Sequence, residues 1–110
     1  MLDKYILAIE TSSSICGVSI IFNEEIIGIE ETDVSRKHAE LLPGFTKIAL
    51  DNSKKTLNDI DAIAISIGPG SFTGLRVGLG FAKGLAYSKG LPIIPIPSML
   101  SLAFSLQKYE

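Results

Sequence analysis

The stretch Gly68-Pro69-Gly70-Ser71-Phe72-Thr73-Gly74-Leu75-Arg76 constrains everything around it. It follows the apolar run Ala62 to Ile67 and precedes a small-residue-rich run from Gly74 to Gly90. The first run is β-branched, short and bounded by Asn58, Asp59 and Asp61, so it reads as a strand covered on both faces. Gly68 and Gly70 permit backbone angles closed to other residues, Pro69 presets its own φ, and Ser71 or Thr73 can cap a helix that follows. A buried strand therefore turns abruptly into a helix here. Free amides and the helix dipole at that point favour an anion, which makes Gly70, Ser71 and Thr73 candidate anion-binding residues beside the plain reading of a tight connection. Two sharper assignments fail. A Walker phosphate loop needs a Gly-Lys-Ser/Thr ending that the chain lacks. A dinucleotide fingerprint wants glycine where Thr73 stands and an acid after the next strand, and Ile93-Ile94-Pro95-Ile96-Pro97 offers none.

At 110 residues the chain is expected to form a single domain, 1–110, that buries roughly two-thirds of the surface its unfolded form exposes. Its formal net charge of −2 gives no field to attract nucleic acid directly. The lone Cys16 reads as a small buried apolar residue in a reducing compartment. No apolar run reaches the ~18 residues of a membrane span, and Met1-Leu2-Asp3-Lys4 lacks the regions of a signal peptide, so a cytoplasmic location is expected. A mean hydropathy of +0.37 is high for a small soluble domain and points to a partner surface.

Tyr5 to Ile9 is a nearly continuous apolar strand ending in Glu10-Thr11-Ser12-Ser13-Ser14. Cys16 to Phe22 and Ile26 to Glu31 follow around the turn Asn23-Glu24-Glu25, and short connections predict an antiparallel meander. With the first strand central, Glu10 emerges at its end beside the hydroxyls of Thr11 and Ser12, an arrangement able to orient a metal–phosphate group. Thr32 to Lys37 is a polar connector. Leu41, Leu42, Phe45, Ile48 and Ala49 then follow helical spacing from His38 to Asn52-Ser53. Pro43 removes the amide that would bond Ala39, so the regular helix begins near Leu41 or bends there. Four residues after His38 stands Leu42, so no histidine pair shares a helical face and no metal site is expected.

The helix after the central strand carries Gly74, Gly78, Ala82 and Ala86 at four-residue steps, with Gly80 and Gly84 on a second line. An interior glycine costs about 1 kcal/mol against alanine, so close packing must compensate. Sheet on one face and a partner on the other is the favoured arrangement. Lys83 and Lys89 suit solvent and the C-terminal end, and Gly90 is a C′ residue. Leu91 to Ile96 is a short strand that its prolines place at an edge. Ser98 caps a last helix, Met99 to Lys108.

Three strands, helix, strand, helix, strand, helix is the order of a ribonuclease-H-like lobe, as in actin-like ATPases: an α/β fold with a five-stranded mixed sheet. Ile9-Glu10-Thr11-Ser12, His38-Ala39-Glu40-Leu41-Leu42-Pro43, Gly68 to Arg76, Ala82-Lys83-Gly84-Leu85-Ala86 and Pro97-Ser98 together resemble the TsaB (YeaZ) family. The resemblance runs along essentially the whole chain and matches one lobe, the N-terminal one, of a family that normally has two. It implies a non-catalytic partner of the TsaD threonylcarbamoyltransferase, which makes the threonylcarbamoyl modification of tRNA adenosine next to the anticodon, with TsaE in the same assembly and a homodimer when alone. TsaD resembles this lobe but carries a His-x-x-x-His metal pair, where His38 here is followed by Leu42. The resemblance also implies that the helices over His38–Asn52 and Gly74–Lys89 supply the partner surface, assigned to His38, Leu41, Leu42, Phe45, Gly74, Arg76, Gly78 and Ala82.

Two departures from the family pattern stand out. Glu10 occupies a position often held by aspartate, and the second lobe is missing, so an actin-like nucleotide site between two lobes is not completed by this chain. No cofactor, metal, membrane or direct nucleic-acid partner is expected. A different class of function keeps Glu10, Thr11 and Ser12 around a metal–phosphate, as a fragment of a nucleotide-hydrolysing enzyme. A protease reading is remote, because Ser71 has no base other than the distant His38.

Overall fold

The computed structural model describes residues 4–11, 15–23, 25–33, 38–66 and 72–96. Its elements are β1 (Tyr5–Glu10), β2 (Ile15–Phe22), β3 (Glu25–Asp33), α1 (His38–Ser53), a 3-10 turn at Leu57–Asp59, β4 (Ala62–Ser66), α2 (Phe72–Lys89) and β5 (Ile93–Ile96). The last predicted helix, Met99 to Lys108, lies outside the described residues.

The strands form one sheet in the order β3-β2-β1-β4-β5. β1 is antiparallel to β2, and β2 to β3, which is the expected meander. β4 lies parallel to β1 and to β5, because a crossover helix separates each of these partners in sequence. The central position of β1 follows from its composition: Leu7, Ala8 and Ile9 are all buried, which requires cover on both faces. The parallel pair is fastened at its start by Asp61. Its carboxylate accepts from the Tyr5 amide at 2.8 Å and its amide donates to the Tyr5 carbonyl at 2.8 Å.

Strand alternation assigns the two faces. Leu7, Ile9, Cys16, Val18, Ile20, Ile63 and Ile65 join Leu42, Ala49, Ala82 and Ala86 in the main core, under both helices. Ala8, Ile21 and Ala64, with Ile6 and Ile96, make a smaller cluster on the opposite face. Fully burying a side chain such as Leu7, Leu42 or Ile63 contributes about 2–3 kcal/mol relative to leaving it in water. Cys16 is fully buried, as expected, and burial pushes its thiol above the ordinary cysteine range.

Pro43 does not delay α1, which runs from His38 through it. In the second turn the ring sacrifices one backbone bond, and Leu42 and Ala49 still anchor the helix on the sheet. α1 also comes very close to β3. A Cβ on Gly28 would collide with the Ala49 carbonyl and lie 2.9 Å from the Ser53 Cβ, so only glycine admits the helix there. Ile20 pairs with Gly28 and Ile21 with Ile26, which leaves Ile27 as the extra residue of a β-bulge.

Candidate functional site

Two regions carry the residues singled out in the sequence. The first is the carboxyl end of the central parallel strands. Glu10 ends β1 with only 4% of its surface exposed, and Thr11 behind it is fully buried. The Thr11 hydroxyl donates to the Gly74 carbonyl at 2.6 Å. The hydroxyl is thus committed inside the chain, which leaves only the Thr11 backbone amide as a donor toward an anion. Ser12, Gly70 and Ser71 lie outside the described residues, and Thr73 is described only as part of α2. Ser66 was not anticipated. Ile9 pairs with Ile65 in the parallel register, so Ser66 stands beside Glu10 on the face away from the helices. Its hydroxyl is buried without a hydrogen-bond partner among the described residues. A serine closing an otherwise apolar strand was the available cue. Nearby, a dent of about 30 Å³ is bordered by Glu10, Gly17, Ser19 and Glu31. Among the described residues no three His, Cys, Asp or Glu side chains are grouped to hold a metal.

The second region is the pair of helices. Gly74, Gly78 and Ala82 were assigned to a partner, but the structure turns them inward: all three are buried, Ala82 completely. A Cβ on Gly78 would collide with the Thr11 hydroxyl and lie 3.1 Å from Ile65 Cδ1. The line therefore lets α2 approach its own sheet. Leu42 is fully buried in the chain's own core, and Leu41 and Phe45 are half-buried against it. Arg76 is exposed as expected, while the His38 side chain lies outside the described set.

The outward face of α2 belongs to the second line. Arg76, Gly80, Lys83, Gly84 and Tyr87 fall at helical spacing and are all exposed, Tyr87 to 92%. A Cβ on Gly80 or Gly84 would meet nothing within 4 Å among the described residues. On α1, Gly44, Lys47 and Ile48 are exposed as well, Ile48 to 39%. Tyr87 also borders an open hollow of about 600 Å³ where the end of α2 meets β5. Among the described residues no helix is long and apolar enough to cross a membrane.

Comparison with known proteins bears on this geometry. Residues 14–110 match the family model described as TsaD, tRNA N6-adenosine threonylcarbamoyltransferase. The tRNA threonylcarbamoyladenosine biosynthesis protein TsaB of Haemophilus influenzae is 42% identical over all of this chain and 48% of its own length. A tRNA N6-adenosine threonylcarbamoyltransferase of Clostridium botulinum is 41% identical over 79% of this chain and 26% of its own. The chain thus spans about half the length of the TsaB relatives it matches. Among solved structures, YeaZ from Pseudomonas aeruginosa superposes with a TM-score of 0.79 at 31% identity, covering 84% of this chain and 43% of that one. The architecture is accordingly the ribonuclease-H-like, actin-like lobe that the element order suggested. The chain belongs to the TsaD family of lobes, in its TsaB (YeaZ) branch.

Proposed function

We propose that this chain is a non-catalytic scaffold lobe that docks on TsaD through the outer faces of α1 and α2, and so supports threonylcarbamoyl modification of tRNA. One observation carries the reading: Gly80 and Gly84 occupy open space on an exposed helix face. Each costs the free chain about 1 kcal/mol against alanine, and no contact among the described residues calls for it. A partner backbone pressed against that face does call for it. TsaD suits the role because the same lobe recurs in a TsaD relative at 41% identity. Two like lobes can meet through matching helix faces about a near-twofold axis, and the same logic allows the chain to pair with itself.

Two further facts support the division of labour. The chain has one histidine, so it has no histidine pair of its own with which to hold a metal. Its near-balanced charge leaves tRNA binding to the partner.

The test is association with purified TsaD, followed by light scattering and calorimetry. The wild-type chain is expected to form a stoichiometric complex. Gly80→Leu and Gly84→Leu, for which the fold has room, are expected to keep the native circular dichroism and weaken binding by at least about a hundredfold, as befits a clash at an interface centre. Binding by both variants at wild-type strength would sink the docking face. A nucleotide-hydrolysing reading has Glu10 and Ser66 in its favour, buried at the strand ends where α/β sheets hold ligands. Stoichiometric binding of magnesium ATP, lost in Glu10→Ala, would replace the scaffold reading with that one.

A further inference from the structure

Gly74, Gly78, Ala82 and Ala86 lay a smooth stripe against the sheet. The stripe permits close approach, and Val77, Leu79, Phe81 and Leu85 flank it half-buried against the core. Apolar contacts are non-directional, so they fix the position of α2 along its own axis less sharply than a hydrogen bond does. One buried polar contact supplies that direction. The fully buried Thr11 hydroxyl donates to the Gly74 carbonyl at 2.6 Å, and it occupies the space that a Cβ on Gly78 would take. Advancing the helix by one residue turns it by about 100° and moves it about 1.5 Å, which brings Val77 or Leu79 onto that hydroxyl. The opposite end of α2 has a looser tie, Lys89 Nζ to Asn58 Oδ1 at 2.8 Å, on an exposed and flexible arm.

We infer that Thr11 is a positioning residue for the docking face. Its hydroxyl and the notch at Gly78 set the register of α2 on the sheet. They thereby set where Arg76, Gly80, Gly84 and Tyr87 stand relative to the outer face of α1. The inference rests on the docking reading above and adds the residue that holds the surface in place.

Two variants of the full chain separate the hydroxyl from the rest of the side chain. Thr11→Ala removes both hydroxyl and methyl, and Thr11→Ser restores the hydroxyl alone. Two measurements are made on each: amide hydrogen exchange of the free chain and affinity for purified TsaD. In Thr11→Ala, exchange across α2 is expected to rise about tenfold more than across α1, with TsaD binding about tenfold weaker. In Thr11→Ser both are expected within about threefold of wild type, the scatter of a change that keeps the hydrogen bond.

Four outcomes overturn the inference: α2 exchange unchanged in Thr11→Ala; α1 and α2 rising together, which marks a general packing loss; Thr11→Ser failing as Thr11→Ala does; or a selective α2 response with unaltered affinity. If the wild-type chain ignores TsaD while α2 responds as expected, the docking reading falls and the register pin stands.

Discussion

Gly78 and Gly80 stand two positions apart on one helix, and their surroundings give the same substitution opposite signs. Alanine at Gly78 drives a methyl into the Thr11 hydroxyl and against Ile65. A loss of about 1–3 kcal/mol is expected from overpacking. At Gly80 the methyl points into open space, and the helix gains up to about 1 kcal/mol. Urea unfolding of the two variants reads the difference. The penalty of Gly78→Ala should shrink in a Thr11→Ala background, where the hydroxyl is gone. Equal effects at the two sites would show that the notch is not where the geometry puts it. The glycine lines were legible in the sequence but their orientation was not. Leu75, Val77, Leu79, Phe81 and Leu85 spread over more than half of the circumference of α2, wide enough to leave either glycine line next to the apolar arc. Arg76 and Lys83 opposite were the weaker cue to its phase. The phase is decided by Thr11, which is 63 residues from the carbonyl it bonds. Leu42 was misassigned for a related reason: its motif marks the helix, while only packing shows which side faces the core.

The described elements were readable, down to the edge position of β5, because the apolar strands are short and β-branched and α2 closes on a glycine. α2 ends as its sequence announces. Gly90 takes φ +65°, its amide donates to the Tyr87 carbonyl at 3.4 Å, and the Leu91 amide to Ala86 at 2.9 Å, the paired bonds of a Schellman cap. α1 ends the same way without the announcement. Lys54 holds φ 59°, with its amide on Asp51 at 3.0 Å and the Lys55 amide on Leu50 at 2.9 Å. A side chain in that left-handed conformation costs about 1 kcal/mol. Lys54→Gly is therefore expected to raise stability by up to about 0.6 kcal/mol, after the entropy glycine returns to the unfolded chain. Thermal unfolding tests it, and a lower melting temperature would mean that the lysine side chain contributes more than its backbone angle costs. The sequence hid this cap because the polar run from Asp51 to Lys55 contains no glycine to mark the reversal.

For the molecule as a whole, sheet edges decide how it meets other chains. The Ile63 amide donates to the Pro92 carbonyl at 3.0 Å, so alternation points the amides of Ile94 and Ile96 at β4 and positions 93 and 95 away from it. Pro95 thus stands where an outward donor would otherwise invite another strand, and β3 at the far edge carries Glu25, Glu30 and Glu31. Among the described residues both edges are discouraged from pairing, which fits the proposed docking through the helices. Pro95→Val should change unfolding free energy by less than about 1 kcal/mol, because no bond to β4 uses that nitrogen. It should also introduce concentration-dependent self-association in light scattering. A variant as monodisperse as wild type would show that the proline is not what guards the edge. The central place of β1 has its own result for a chain made from its N-terminus. β2 can pair with β1 almost at once, yet the other side waits for Ala62–Ser66. At ordinary rates of synthesis, about 5–20 residues per second, that flank stays open for several seconds on the ribosome. A strand buried on both faces is thus exposed early and sealed late, and nascent-chain chaperones would meet it there.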